Sequence, residues 1–592
     1  MDRKTILLLA VCFLLLFAWT PLVNRIYPPV PVQGSTNAPS ANVTQLQAPT
    51  NTATAPLTPT LQAPTVPQPA SVWTPPSTAE SLVSLETEET RFVFTSHGGG
   101  LRRVELKKYP ESVRRKKGDS DQAQRLATLN AHAPVPALAL LGGPEIHDAQ
   151  PYRLTEPAQG VVRAEKSLSN GLAILKEFRI DTNHLLHVAL RLENQGKEPL
   201  VLPAHELVIG TATPISGTDD GTMVRVEWFD GRSASSADQA WFANRTLGCL
   251  PGTPRTEYAS AGTSNIVWGS VQNQFFAMIA LPAEIAPRLV ARPVDLPRPT
   301  PEELAANKRL NAQPRGFQAA LAYDALTLAP GQALTRELDV FAGPKEYNAL
   351  VKLGRGIDQV MGFSGFFGWF AKLLLLSMNG LHRFGLPYGA AIIAITVIIK
   401  ILFWPLTQAS TRSMKRMQSL QPQMKAIQAK YKDDPKKMNQ KLMEFMKQNR
   451  VSPLGGCLPL LLQIPVFFGF FQMLRSAIEL RGARFLWAYD LSQPDTVAMI
   501  FGFPLNPLPL IMGATQFWQA RLTPPSPGVD PMQQKLMQYM PLIFVFMLYN
   551  FSAGLALYWT VQNLLSILQM KLTKGTAPAP APVPSPAPAR RR

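Results

Sequence analysis

Apolar and polar positions along the chain fall into three regimes. The first is a continuous apolar run. Residues 5–24, beginning TILLLAVCFLLLFAW, carry no charge between Lys4 and Arg25. As a helix they rise about 30 Å, one hydrocarbon thickness. No small-x-small cleavage pattern closes the run, so residues 1–27 read as an uncleaved membrane anchor and not a removed signal peptide. Residues 28–79 contain no charged side chain and are dominated by Pro, Thr, Ala and Gln, the composition of an extended linker that buries no core.

Alternation takes over in residues 80–345. RFVFTSHGGGLRRVEL switches between apolar and polar residues around a glycine turn. ILKEFRIDTNHLLHVALRLENQGKEPLVL and RVEWFDGR repeat the pattern of short strands with turn punctuation, which predicts a β-sandwich. The sequence HGGG at His97–Gly100 is similar to an esterase oxyanion loop, but no G-x-S-x-G nucleophile elbow accompanies it. A hairpin turn is the reading adopted.

The third regime returns to long apolar runs. Residues 346–386 include GFSGFFGWFAKLLLLSMNGLHRF, interrupted by Lys372 and His382, which predicts an amphipathic helix lying in the membrane interface. Uncharged runs follow at 387–406 apart from Lys400, between Arg450 and Arg475, and between Asp495 and Arg521. A last one, between Lys535 and Lys571, has 35 residues, too long for one crossing, with Asn550-Phe-Ser-Ala-Gly554 as a turn near its middle. It reads as two spans. With residues 5–24 the total is six, five of them in a core at 387–571.

Charge orients these spans. Of the net +18, residues 372–592 hold 24 basic against 7 acidic side chains, while residues 24–371 balance at 32 of each. A basic excess confined to the most apolar third weakens a nucleic-acid reading. The segment 407–452 is +8, the loop 521–535 is +1 and the end of the chain from Lys571 is +5, whereas the loop 475–495 is neutral. Every positive loop lies on one side if both termini, including the basic tail 572–592, are cytoplasmic, and the β domain is then outside. Cys12, Cys249 and Cys457 lie in unrelated contexts and imply neither a disulfide framework nor a metal site. Val11 stands where a lipoprotein signal would have a small residue before Cys12.

No zincin motif, P-loop or Cys/His cluster is present, which argues against an enzyme. A serine–lysine protease would need a serine beside Lys400, yet Ser410 and Ser413 lie beyond Pro405, where the helix is expected to end. The polar inventory inside the spans is Thr396 and Lys400, four apart on one helix face, with Gln463, Gln516, Gln562 and Asn563 on later spans. Buried together they would line a wet cavity, because polar groups facing lipid are costly. Alternatively the Lys400 stem snorkels to the interface, and spacing alone leaves both readings open. In 407–452, Met417, Leu420, Met424, Ile427 and Tyr431, then Met438, Leu442 and Phe445, form two helical stripes separated by Lys432-Asp-Asp-Pro435. They predict an antiparallel helical hairpin. Its methionines serve as core or as an adaptable contact surface, and its basic face meets ribosomal RNA, acidic headgroups or solvent alone.

VSPLGGCLPLLLQIPVFFGFF, DPMQQKLMQYMPLIFVF and SAGLALYWTVQNLLS strongly resemble the YidC/Oxa family of membrane protein insertases. The β domain resembles it through WGSVQNQFFAMIALP and FAGPKEY, and the order of parts is that of the Gram-negative members. The resemblance implies a polytopic α-helical membrane protein with six spans, a five-helix core around a hydrophilic groove open to the cytoplasm, and a large periplasmic β-sandwich. It implies location in the cell inner membrane, a non-enzymatic insertase and chaperone function, and neither cofactor, metal nor small-molecule substrate. Its implied partners are nascent membrane proteins, the ribosome, the lipid bilayer and the Sec translocon.

By the same resemblance Lys400, before WPLT, takes the place of a basic residue that projects into the groove beside Thr396, Gln463 and Tyr558. Pro465, Phe468, Gly455, Gly456 and Cys457 fall in the motif along which client helices slide. Many bacterial members have arginine at the lysine position, so a point-charge role carries over and a bidentate one does not. A solute transporter is the competing reading, although no duplicated pair of broken helices is visible. A further alternative makes the β domain a sugar-binding module, since its counterpart in the family resembles the mutarotase sandwich.

Overall fold

Strands in the first half follow the two-residue period. In Leu172–Ile180, Leu172, Ile174, Lys176 and Phe178 are buried while the residues between them are half-buried. The neighbouring Leu185–Asn194 buries Leu186, Val188, Leu190, Leu192 and Asn194 in the same way. These details come from a computed structural model that describes residues 73–572, except 114–124, 147–149, 182–183, 217–218, 220, 246–251, 261–264, 307–309, 364, 433, 450–457, 523–538, 540–542 and 544. The expected anchor at 5–24, the linker before Trp73, the tail after Leu572 and the residues Gly455, Gly456 and Cys457 lie outside the described residues.

Nine strands form the larger sheet, every neighbouring pair antiparallel. In spatial order they are Ala234–Asp238, Arg225–Phe229, Trp268–Gln272, Phe276–Pro282, Ala333–Pro344, Leu185–Asn194, Leu172–Ile180, Val161–Ser167 and Arg153–Ala158. A five-stranded and a four-stranded sheet face it. Phe94 of the four-stranded sheet meets Phe178 at 4.8 Å between ring centres. The five-stranded sheet comes so close at Gly269 that a Cβ there would lie 2.6 Å from both Ile209 and Leu289. The β-sandwich thus begins earlier than residue 80. Trp73 packs on Ala139, Val208 and Ala320, so the end of the expected linker is already part of the domain.

The HGGG sequence is a hairpin turn, and it has a structural task. Gly98 and Gly99 have φ of 79° and 55°, and a Cβ on Gly99 would lie 2.5 Å from the Tyr152 ring. This tight path brings the Gly98 carbonyl to 2.7 Å from Nζ of Lys176, which also donates to the Leu138 carbonyl at 2.7 Å. The ammonium lies 4.9 Å from the centre of the Tyr152 ring, whose other neighbour is Lys166. Two carbonyls and a π face therefore satisfy a cation fully buried in the sandwich.

Trp268–Gln272 and Phe276–Pro282 are buried along their whole length and do not alternate. One face joins the sandwich core through Val271, Met278 and Ala280. The other, with Trp268, Ala277, Ile279 and Leu281, packs on the connecting segment through Tyr347, Leu350, Ile357 and Val360. Helices then follow: α1 (Gly365–Arg383), α2 (Tyr388–Ser419), α3 (Gln421–Lys430), α4 (Pro435–Gln448), α5 (Leu458–Ser476), α6 (Pro507–Leu522) and α7 (Ala553–Leu572). Among the described residues one segment, Tyr388–Ser413, is long and apolar enough to cross a membrane by length and composition. α1 packs along α5, with Phe367 and Phe468 at 5.0 Å. α3 and α4 form the expected helical hairpin around Met417, Met424 and Leu442, with Asp434 capping α4 through the Lys437 amide.

The segment between α5 and α6 is docked on the sandwich. Ile478 enters the sandwich core. Arg481 donates to the carbonyls of Pro110 and Glu111 at 2.6 and 3.0 Å, and Arg475 donates to Thr222 at 2.9 Å.

Burial, aided by the like charge of Lys166, lowers the Lys176 ammonium from 10.5 to about 7. The unfolded chain therefore binds a proton that the folded chain releases between these values, so stability should rise with pH across that window. Lys176→Met should flatten the rise, whatever it does to absolute stability. Thermal unfolding of the β domain from about pH 7 to about pH 10 tests this; an unchanged slope would place the titration elsewhere.

Candidate functional site

Two helices offer polar stripes to each other. On α2, Thr396, Lys400, Phe403 and Thr407 recur at helical spacing, and on α7 so do Tyr558, Gln562, Ser566 and Gln569. Lys400 Nζ donates to Ser566 Oγ at 2.8 Å. The serine hydroxyl in turn donates to the Gln562 carbonyl at 2.8 Å, which leaves its lone pairs facing the ammonium. Gln569 Nε2 donates to Thr407 Oγ1 at 2.5 Å, and Gln562 Nε2 reaches Gln463 Oε1 on α5 at 2.9 Å.

Between these contacts lies a cavity lined by Thr396, Lys400, Thr407, Gln463, Tyr558 and Gln562, with Ile399, Phe403 and Val466 as its apolar wall. Its volume is about 30 Å³, on a measure by which one water takes roughly 10–15 Å³. Two waters fit. Lys400 is 8% exposed, and among the described residues no carboxylate lies within 4 Å of its ammonium. An ammonium has three donors and the protein occupies one. The site is therefore a small polar-lined cavity holding an ammonium that has no carboxylate beside it among the described residues.

All four residues expected to share a groove thus line one cavity. Ser566 was missed. Its signal was the four-residue step from Gln562, which a serine in an apolar helix does not advertise. Asn563 and Gln516 do not join the cavity. Asn563 turns to α6, donating to Thr515 Oγ1 at 3.2 Å and the Met512 carbonyl at 3.3 Å. Pro465 is half-buried within α5, and Phe468, 42% exposed, shares the outer face with Ile464.

The expected helix end at Pro405 is corrected. α2 continues to Ser419 with Pro405 inside it. Proline removes the one backbone donor that the Ile401 carbonyl would accept from, and the turn that follows carries extra side-chain bonds to carbonyls. Thr407 Oγ1 is 3.0 Å from those of Phe403 and Trp404, and Gln569 Nε2 is 3.4 Å from that of Trp404. Lys400 accordingly sits in the interior of a 32-residue helix, with 19 residues of it still to follow.

A β-sandwich seated on apolar helices that enclose a lone buried cation defines a membrane protein with a large extramembrane domain. The chain belongs to the YidC family. Residues 380–579 match the family model of the 60Kd inner membrane protein, and residues 82–376 match that of the YidC periplasmic domain. The membrane protein insertase YidC of Oleidesulfovibrio alaskensis is 32% identical over 580 residues, 93% of each chain. That of Citrifermentans bemidjiense is 31% identical over 510 residues, 84% of this chain and 86% of its own. A crystal structure of an active YidC insertase with its first transmembrane domain resolved is 18% identical, covering 85% of this chain and 95% of that one with a TM-score of 0.33. The chain is an inner-membrane protein with a periplasmic domain, and it is not an enzyme.

The two polar clusters should respond differently to deletion. Asn563→Ala removes a buried interhelical pair and should cost about 0.6–1.7 kcal/mol. Lys400→Met removes an ammonium that makes one protein hydrogen bond and should leave stability unchanged or higher. Thermal unfolding in detergent compares them; a larger loss for Lys400→Met would make the lysine a structural brace.

Proposed function

We propose that this chain inserts nascent transmembrane segments into the inner membrane, and that the chamber between α2, α5 and α7 is where a client's polar segment is received. The observation that carries this reading is Lys400, a buried ammonium with one serine partner and no carboxylate among the described residues. A fixed structural ion pair would have supplied the counter-ion from within the chain. Here an acidic or polar client segment supplies it. At about 4 Å and an effective dielectric near 20 the attraction is about 4 kcal/mol before desolvation. Thr396, Gln463, Gln562 and Tyr558 and the waters among them lower the cost of bringing polar backbone to this depth.

The client's apolar helix leaves along the outer face of α5, where Ile464 and Phe468 are exposed. The Gly455-Gly456-Cys457 motif and Pro465 belong to this path. Release is driven by transfer of apolar surface into lipid and needs no nucleotide at this step. Exposed Lys425, Lys430, Lys432, Lys436 and Lys437 on the α3–α4 hairpin form the surface that recruits the ribosome. Action beside the Sec translocon and a chaperone role for clients held at the groove belong to the same reading.

Six spans with both termini in the cytoplasm place the α3–α4 hairpin inside and the sandwich outside. In a variant with Cys12, Cys249 and Cys457 replaced by serine, Ser235→Cys should react with a membrane-impermeant thiol reagent on spheroplasts. Asn439→Cys should react only after lysis. Both positions are exposed on the protein, so burial does not confuse the result. The opposite pattern would overturn the orientation.

The charge role makes a graded prediction. Lys400→Arg should retain insertion, Lys400→Ala should lose several-fold for clients with acidic translocated tails, and Lys400→Glu should be worst. Clients with neutral tails should barely change. Insertion measured at matched protein levels decides. Equal insertion of acidic-tailed clients by all three variants would refute a role for the charge.

A further inference from the structure

Between the sandwich-docked segment and α6 the chain makes a short hairpin in which Ala498–Ile500 pairs with Phe503–Leu505. Its base is polar and tied down. Asp495 Oδ2 accepts from the Leu508 amide at 2.7 Å and from Trp487 Nε1 at 2.9 Å. Asn506 Nδ2 donates to the Tyr549 carbonyl at 2.8 Å, and Tyr549 Oη donates to the Pro504 carbonyl at 2.6 Å. The tip is the opposite. Phe501 is 100% exposed and Phe503 77%, with Met499 and Ile500 also exposed.

The turn itself is unusual. Phe501 and Gly502 have φ of 49° and 82°, the left-handed pair that a two-residue type I′ turn requires. Asn or Asp is the ordinary choice before the glycine, because a bulky side chain is strained there. The chain instead holds its most exposed aromatic ring in that position. Such a cost is retained where the residue has work outside its own fold.

We propose that this hairpin is a lipid anchor whose tip inserts among the phospholipids of the periplasmic leaflet. The inference rests on the topology proposed above. Three observations select lipid as the occupant. The hairpin leads directly into α6, whose exposed Leu510 and Ile511 continue the apolar surface within its first turns. No charged residue occurs between Asp495 and Arg521, whereas rims that bind proteins are polar. Three paired residues reach about 10 Å, comparable to the roughly 5–10 Å depth of interfacial anchors. Because the hairpin base is bonded to the segments flanking α6 and α7, and Ile478 and Arg481 just before it grip the sandwich, insertion would hold the periplasmic domain at a set height over the bilayer.

The test uses the full chain in phospholipid nanodiscs with an environment-sensitive fluorophore on Ile500→Cys, on Met499→Cys, or on Ser235→Cys as the aqueous reference, each in the background lacking the native cysteines. Labels at 499 and 500 should be blue-shifted and at least twofold more quenched by lipids spin-labelled near the headgroup end of the acyl chain than the label at 235. Phe501→Asn with Phe503→Ser should bring that quenching down to the reference level without lowering the detergent melting midpoint, since it relieves backbone strain. Labels as exposed as the reference would overturn the anchor, as would photocrosslinking from position 500 to protein in place of lipid. If Ser235 and Asn439 label from the expected sides in the same preparation, that failure belongs to the anchor alone. If they do not, the topology has failed and the anchor with it.

Discussion

A polar group surrounded by apolar helices must find its partners within the protein or in enclosed water, and the architecture of the core follows from that constraint. Lys400 lies in the interior of α2, 8% exposed, with no carboxylate of the described residues within 4 Å of its ammonium. The cost is met in part by Ser566 and by the polar stripe along α7 that faces the same cavity. The same stripe ties the later turns of α2 to α7, where Gln569 donates to Thr407 Oγ1 and reaches the Trp404 carbonyl. Remove the facing stripe and the cation loses its hydrogen-bond partner.

A second consequence concerns the two halves of the molecule. The strands Trp268–Gln272 and Phe276–Pro282 are covered on both faces, one by the sandwich and the other by the segment leading into α1. Ile478 and Arg481 add a second attachment from the far side of α5. Two separated points of contact resist rotation where one would permit it. The periplasmic domain is therefore a fixed extension of the helical core, and the neutral charge of the 475–495 loop is understood as that of a docking segment.

What the sequence made legible depended on how local the physics was. The alternation in Leu172–Ile180 and the stripes at Met417, Met424 and Leu442 report burial on one face, and the structure has both. The four-residue step from Thr396 to Lys400 fixed their common face for the same reason. Burial on two faces erased the alternation in Trp268–Pro282, so its docking role stayed hidden. Pro405 misled because a proline removes one backbone donor from a helix and does not by itself end it. Asn563 and Gln562 are adjacent in sequence yet serve different interfaces, as one helical step of about 100° separates them and only neighbouring helices reveal which face looks where. The linker boundary was set by composition, and Trp73 alone did not signal the cluster that claims it.

Lys176 and Lys400, both buried, separate structure from function by the same accounting. Lys176 donates to two carbonyls and lies against an aromatic ring, and glycines at φ values few other residues adopt hold the turn that brings one carbonyl to it. Nothing about that ammonium is left over for another molecule. Lys400 has the same side chain and a comparable burial, but among the described residues it has one acceptor and a cavity beside it. A sequence that can satisfy a buried lysine completely in one domain, and does not do so in another, keeps the second one under-coordinated at a cost in stability. On the function proposed above, that cost is recovered when a client segment brings acceptors to Lys400.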